Sequence, residues 1–260
     1  MWRIAAASLV LLSVAGCQRA DVTRLTSYAK ANDVAGVKSE LAKGFDPGML
    51  NSKEGTETTT PLHIAAENGN VDILKLFLAS GVNVNLRRGD GATALLLATL
   101  KGKTEAAELL LQNGADPNLG TNLAIATFPL VVAVAQQNHT LIRDLVDHGA
   151  NVRAESGPIT PLITAASSGD LDSAFLFLSH GADINQSPKD GLRPVDFAVK
   201  NGDTRMLLNL LARGGEPSSW AGDIQIALDN HDLMTAGMLR AALRTRATSS
   251  KKPASSPQSK

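Results

Sequence analysis

Cysteine occurs once in the 260 residues, at Cys17, directly after Ala15 and Gly16. Small residues at that spacing let a chain enter a narrow peptidase site, and the thiol behind them can then be acylated. A lone cysteine leaves no partner for a disulfide and no cysteine-based metal site. The five histidines are His63, His139, His148, His180 and His231. Asp144 and His148 stand four apart, the spacing of a metal-ligand pair on one helix face. No third ligand accompanies them, and an exposed ion pair accounts for the spacing as well. Ser179 and His180 are adjacent, which is not a nucleophile–base geometry. The glycines follow a long period rather than the tight spacing of a phosphate-cradling loop. No catalytic constellation, metal site or cofactor site is expected.

The segment ahead of Cys17 reads as a targeting signal. Arg3 is a one-charge start, and Ile4 to Val14 is an apolar run broken only by Ser8 and Ser13. Eleven residues suit a signal-peptide core and are too few to cross a bilayer as a helix. Val14-Ala15-Gly16-Cys17 resembles the lipobox of bacterial lipoproteins, with Val in place of the usual Leu. The resemblance implies cleavage before Cys17, a thioether-linked diacylglycerol on its sulfur, and an N-acyl chain, an anchor stronger than any single acyl chain gives. In enteric bacteria Asp after the cysteine favours retention in the inner membrane. Gln18 at that position implies a lipid-anchored periplasmic protein, at the outer membrane rather than the inner.

The remaining chain must bury its apolar surface with few large rings. It is 43% hydrophobic but 3% aromatic, and Ala, Leu and Val suit thin layers of closely spaced helices. The formal net charge is zero but uneven. After Asp232 no acid occurs, while Arg240, Arg244, Arg246, Lys251, Lys252 and Lys260 follow; without those six and Arg3, 18 bases stand against 25 acids. An acidic body and a basic tail result. The tail reads as a solvated segment, with contact to a polyanion such as lipid headgroups as the sharper alternative. Nucleic-acid binding lacks support, since the body is acidic and aromatics are scarce.

A repeat of about 33 residues organises the body. Helix-starting positions fall at Pro61, Ala94, Pro129, Pro161 and Pro194, spaced by 33, 35, 32 and 33 residues. Eight residues after each comes Gly69, Gly102, Gln137, Gly169 or Gly202; twenty after comes Gly81, Gly114, Gly149, Gly181 or Gly214. Pro at a first helical position has its φ preset, and Thr60 or Thr160 ahead of it can cap the helix. Glycine then closes the helix in a left-handed conformation. A second helix carries paired apolar residues one turn apart, such as Ile73, Leu74, Phe77 and Leu78. An extended stretch, Val82-Asn83-Val84-Asn85, is expected after it, and Gly89-Asp90-Gly91 begins the next unit.

Thr60-Pro61-Leu62-His63-Ile64-Ala65-Ala66 resembles the ankyrin-repeat signature, as do Gly114-Ala115-Asp116-Pro117-Asn118 and Gly181-Ala182-Asp183-Ile184-Asn185. The likeness is strong over residues 58 to about 218. It implies an all-α solenoid of helix–turn–helix units with finger turns, five good repeats plus two degenerate caps. The expected organisation is a signal peptide over 1–16, a tether over 17–21, repeats at about 22–50, 58–87, 91–120, 126–155, 158–187, 191–218 and 222–244 within a domain spanning 22–246, and a disordered basic tail over 247–260. Residues 48–59 read as a long finger loop. Phe128 for Thr and Gln137 for Gly mark the unit over 126–155 as the most divergent, and Ser173 places a hydroxyl on an apolar stripe. The resemblance assigns His63 a structural hydrogen-bonding role.

Ankyrin stacks bind protein partners along a groove of fingers and first helices. Carried over position by position, that implies a contact surface of Glu67, Leu100, Lys101, Gln136, Ser168 and Lys200 on the helices and Arg88, Asp90, Lys189, Asp190 and Leu192 on the fingers. Leu100 and Leu192 would be exposed there. Trp220 is expected in the last finger, as a hot spot or packed on the C-terminal cap. The function implied is a monomeric, membrane-anchored, periplasmic protein–protein interaction module with no enzymatic activity. Narrower versions are an immunity protein neutralising a secreted envelope-targeting toxin and an accessory to periplasmic oxidative-stress defence. An enzyme is the remaining alternative.

Overall fold

A computed structural model describes residues 23–48, 59–188 and 191–249, and all its regular structure is helical. Contacts divide the chain into two compact units, one ending at Ser156 and the other starting at Gly157.

The first unit holds α1 (23–31), α2 (Val34–Ala42), α3 (Pro61–Asn68), α4 (Val71–Ala79), α5 (Ala94–Leu100), α6 (Thr104–Gln112), α7 (Pro129–Ala135) and α8 (His139–Asp147). First helices pack on first helices, α3 on α5 and α5 on α7. Second helices form a parallel layer, α2 on α4, α4 on α6 and α6 on α8. The apolar pairs read from the sequence are the interlayer core: Ile73, Leu74 and Phe77, then Ala106, Ala107, Leu110 and Leu111, then Leu141, Ile142, Leu145 and Val146 are all buried, while Leu78, expected among them, is half-buried at the edge.

The second unit holds α9 (Pro161–Ser168), α10 (Leu171–Ser179), α11 (Pro194–Lys200), α12 (Thr204–Ala212), α13 (Trp220–Asp229) and α14 (Leu233–Ser249). Here α9 packs on α11 and α11 on α13, while α14 lies against α12 and α13. Ser173 is buried on α10 with its hydroxyl unpaired. Helix α14 runs to Ser249, past the expected tail boundary at 247. A 17-residue helix without Gly or Pro after Gly237 has no stop signal before that point.

Caps and turns repeat with the period. Thr60, Thr93 and Thr160 each accept the N–H three residues on, at 3.4, 3.3 and 3.2 Å. Phe128 offers no such cap to α7. Gly69 closes α3 at φ 75°. Gln137 takes the same left-handed backbone at φ 54°, as do Asn32 and His231 in the terminal units, so the divergent residues follow the repeat geometry at some strain.

The stretch expected to be extended after each second helix is a turn. The Asn85 N–H donates to Asn83 Oδ1 at 3.0 Å, and Asn118, Arg153 and Asn185 repeat the arrangement on Asp116, Asn151 and Asp183. A side chain that accepts two residues on folds the strand into a turn. The same asparagines join successive repeats. Asn85 donates to Gly114 O at 3.2 Å and accepts from Asp116 N–H at 2.8 Å. Asn118 does so with Gly149 O and Asn151 N–H, at 3.0 and 2.7 Å. In the second unit Asn185 does so with Gly214 O and Glu216 N–H, at 3.1 and 2.7 Å.

Candidate functional site

In the first unit the expected helix positions meet. Lys101, just past α5, pairs with Glu67 of α3 at 3.2 Å. Gln136, just past α7, donates through Nε2 to Leu100 O at 3.2 Å. Leu100 is 43% exposed. Glu67, Leu100, Lys101 and Gln136 thus form a continuous strip along the C-terminal ends of the first helices.

The finger ahead of α5 is a tight antiparallel turn, bridged between Arg87 and Thr93. Arg88 N–H donates to Ala92 O at 2.8 Å. Arg88 and Asp90 pair with each other across the tip, Nε to Oδ1 at 3.0 Å, with a second contact from Nη2 to Oδ2. The guanidinium hydrogen bond holds the Asp90 carboxyl down at about 2. The pair is a fixed dipole rather than two separate charges. Gly91, at φ 84°, lets Asn122 approach so closely that a Cβ would strike its backbone N at 2.7 Å.

The next finger, residues 120–127, is held from both sides. Asn122 N–H donates to Asp90 O at 2.7 Å, and Arg87 Nη2 reaches Gly120 O at 2.7 Å. Thr121 N–H donates to Thr127 O at 3.1 Å, and Ser156 Oγ donates to Ala126 O at 2.6 Å. This braced loop presents Leu123 and Ile125, 59% and 57% exposed. Sequence reasoning missed both. The signal was present: the 35-residue interval from Ala94 to Pro129 lengthens this finger by two, and Leu123-Ala124-Ile125 lies where no helix can bury it.

In the second unit the expected positions are less concentrated. Ser168 is exposed but its hydroxyl donates back to Thr164 O at 3.0 Å. Lys200 is exposed, its ammonium 5.9 Å from the Phe197 ring. Leu192 is half-buried rather than exposed, because it lies at the base of the loop, two residues before Pro194 starts α11. Trp220 is not a finger residue. Ser219 caps α13 by accepting Gly222 N–H at 3.1 Å, so Trp220 is the first residue of the helix. It is half-buried at a cleft of about 300 Å³ with Leu211, Glu216, Ala242, Thr245 and Arg246. Lys189, Asp190 and Cys17 lie outside the described residues.

A second arrangement in this unit went unread. Asp196 stands two residues after Pro194, where α3 has His63. Buried, it accepts Arg193 N–H at 2.6 Å and Ser218 N–H at 2.8 Å. Asp223 of α13 is buried against it. Among the described residues no three His, Cys, Asp or Glu side chains are placed to hold a metal ion. No described helix is long and apolar enough to cross a membrane.

The family model described as "Ankyrin repeats (3 copies)" matches residues 25–121 and 127–219. A human transient receptor potential cation channel, subfamily A member 1, is 28% identical over 177 residues, 64% of this chain and 15% of the channel. A putative ankyrin repeat protein of fowlpox virus is 29% identical over 164 residues, 63% of this chain and 36% of that protein. A putative ankyrin repeat-containing protein of Treponema pallidum is 38% identical over 109 residues, 41% of this chain and 36% of that protein. The chain therefore spans well under half the length of these relatives.

Proposed function

Since the chain belongs to the ankyrin-repeat family, we propose that it is a protein-binding module held at the periplasmic side of a bacterial membrane by acylated Cys17. The observation that carries the binding half is the finger over 120–127. Two large apolar side chains, Leu123 and Ile125, stand in solvent on a loop braced by Arg87, Asp90 and Ser156. Such a tip loses little conformational freedom on docking, which raises affinity. The Glu67–Lys101 strip and the Arg88–Asp90 pair supply the polar rim.

The anchoring half rests on Val14-Ala15-Gly16-Cys17 and on the short distance to the fold. Residue 23 stands six positions after Cys17, a reach of at most about 20 Å. The repeats then ride close to the bilayer as a monomer, on the outer membrane by the Gln18 rule. Wild type should incorporate labelled palmitate and Cys17→Ser should not; an unlabelled wild type removes this half. A protein retained from envelope extracts by wild type should be lost by Leu123→Ser/Ile125→Ser at unchanged helicity. Equal retention by both removes the binding half.

The excess of acids in the body, 25 against 18 bases, favours a basic partner. That suits the narrower reading of an immunity protein that neutralises a secreted, envelope-targeting toxin. Cells lacking the protein should then die beside toxin-producing kin, and their survival rules the reading out.

A further inference from the structure

Helix α14 has two unlike sides. Thr235, Ala236 and Leu239 are buried on the side that meets α12 and α13, with Met238 and Ala242 half-buried beside them. Leu233, Gly237, Arg240, Ala241, Arg244 and Thr248 recur at helical spacing on the other side, and all are exposed, with Met234 on its flank. Leu233 at 74% and Met234 at 65% are the most exposed large apolar side chains among the described residues. Arg240 and Arg244 stand one turn apart, and neither pairs with a carboxylate among the described residues. Arg246, by contrast, is held by Glu216 of the loop before α13 at 3.1 Å. No acid occurs from Leu233 to the last residue, and Lys251, Lys252 and Lys260 follow the helix.

We propose that this outer face of α14 is a docking surface for an anionic phospholipid bilayer. The helix is about 25 Å long at 1.5 Å per residue, so it can lie along a membrane plane. Leu233 and Met234 enter the acyl boundary from one end. Arg240 and Arg244 reach the phosphates from the other, where the guanidinium fork fits phosphate oxygens and the methylene stems rest on apolar surface. Apolar contact and cationic attraction on one helix side are what interfacial helices combine. The charge asymmetry selects this occupant: the face offers cations and alkyl groups and no acid, and the acidic body that follows from 25 acids against 18 bases makes the cationic side of α14 the one suited to an anionic surface. The surface is independent of Cys17. It would set the orientation of a tethered molecule and hold the untethered one weakly.

The test uses a chain beginning at Gln18, which keeps every described residue and has no thiol to acylate. Failure here is therefore distinct from failure of the Cys17 anchor. Binding is measured by co-sedimentation with vesicles of phosphatidylglycerol and phosphatidylethanolamine, and with phosphatidylcholine vesicles as the neutral reference. The anionic vesicles should bind at least about tenfold tighter, and about 0.5 M salt should remove most of the difference. Arg240→Glu/Arg244→Glu should cost at least about tenfold. Leu233→Ser/Met234→Ser should weaken binding several-fold, with circular dichroism unchanged for both. A charge-matched variant on the first unit, Lys75→Glu/Arg143→Glu, should bind as wild type. Equal binding to neutral vesicles, an equal loss in the charge-matched variant, or binding to a soluble acidic protein but to no vesicle would overturn the proposal.

Discussion

Asp223 of α13 is buried against Asp196 of α11, two carboxyls in one dry spot that cannot both carry a charge cheaply. Asp196 already accepts two backbone N–H groups, so Asp223 keeps the proton. Burial is the larger cause and the neighbouring Asp196 the next; together they raise Asp223 to about 8, against a partial counter-pull from Lys200. Asp223 Oδ2 has no other hydrogen-bond partner in its buried position.

A pH dependence of stability follows. Between the ordinary carboxyl value of 3.8 and about 8, the folded state holds a proton that the unfolded chain has released. The stabilisation is complete below the lower value and is lost as pH rises through the upper one. Asp223→Asn keeps a donor toward Asp196 and has nothing to ionise. Its unfolding free energy from urea titration should exceed that of wild type at pH 8.5 by about 1 kcal/mol, with a smaller difference at pH 5. A wild-type midpoint that rises from pH 5 to 8.5 at the level of this unit contradicts the pair.

His63 produces the opposite slope in the first unit. Its Nδ1 accepts Thr60 N–H at 3.2 Å and its Nε2–H donates to Leu86 O at 3.1 Å, so the neutral ring joins the start of α3 to the turn after α4. Burial, the largest cause, pulls its pKa below 6.5. The unfolded chain takes the proton first on acidification, so this contribution is present above 6.5 and fades as pH falls below it. His63→Ala should cost about 2–3 kcal/mol at neutral pH, leaving a buried N–H and C=O unpaired. His63→Ala should also flatten the acid limb of the denaturation profile. An unchanged limb assigns that slope elsewhere.

Asn118 carries two inter-repeat bonds with Gly149 O and Asn151 N–H. Asn118→Ala should lower stability by about 1–2 kcal/mol. Hydrogen exchange at Asn151 should speed up more than exchange in α3, which the substitution does not touch. Uniform acceleration along the first unit would mean that the bond is global rather than local.

Gln137 sits at φ 54°, where four of the five good repeats have glycine. The left-handed backbone costs a non-glycine residue about 1 kcal/mol, partly offset by glycine's larger loss of freedom on folding. Gln137→Gly should raise the thermal midpoint modestly, by up to about 1 kcal/mol in stability. A fall would show that the Gln side chain contributes more than its backbone costs.

The period itself was legible because Pro61, Gly69 and Gly81 and their counterparts each answer a local backbone demand, and local demands are written residue by residue. The expected repeat fold and helix pairs are those of the structure. What escaped depends on partners distant in sequence. Asp196 reads as a helix-start acid until Asp223, 27 residues on, is packed against it. Trp220 reads as a loop residue because its cap, Ser219, is one of two adjacent serines and the helix begins earlier than the preceding units suggest. Leu123 and Ile125 read as spare apolar residues, since only the bonds from Arg87, Asp90 and Ser156 turn their loop into a rigid tip. Lys189 and Asp190 were placed by register alone and fall outside the described residues.

The asparagine bridges run in one direction: each turn grips the glycine carbonyl and an amide of the unit that follows it. The units that end in Asn85, Asn118 and Asn185 therefore bring their own clasp and need from a successor only a main-chain carbonyl and a main-chain amide, which any residue but proline supplies. Gene duplication can lengthen such a chain by whole periods with no side chain having to be reinvented at the seam. An insertion of half a period would present the clasp with the middle of a helix, whose backbone groups are already spent. Growth in quanta of about 33 residues is built into the chemistry of one amide side chain.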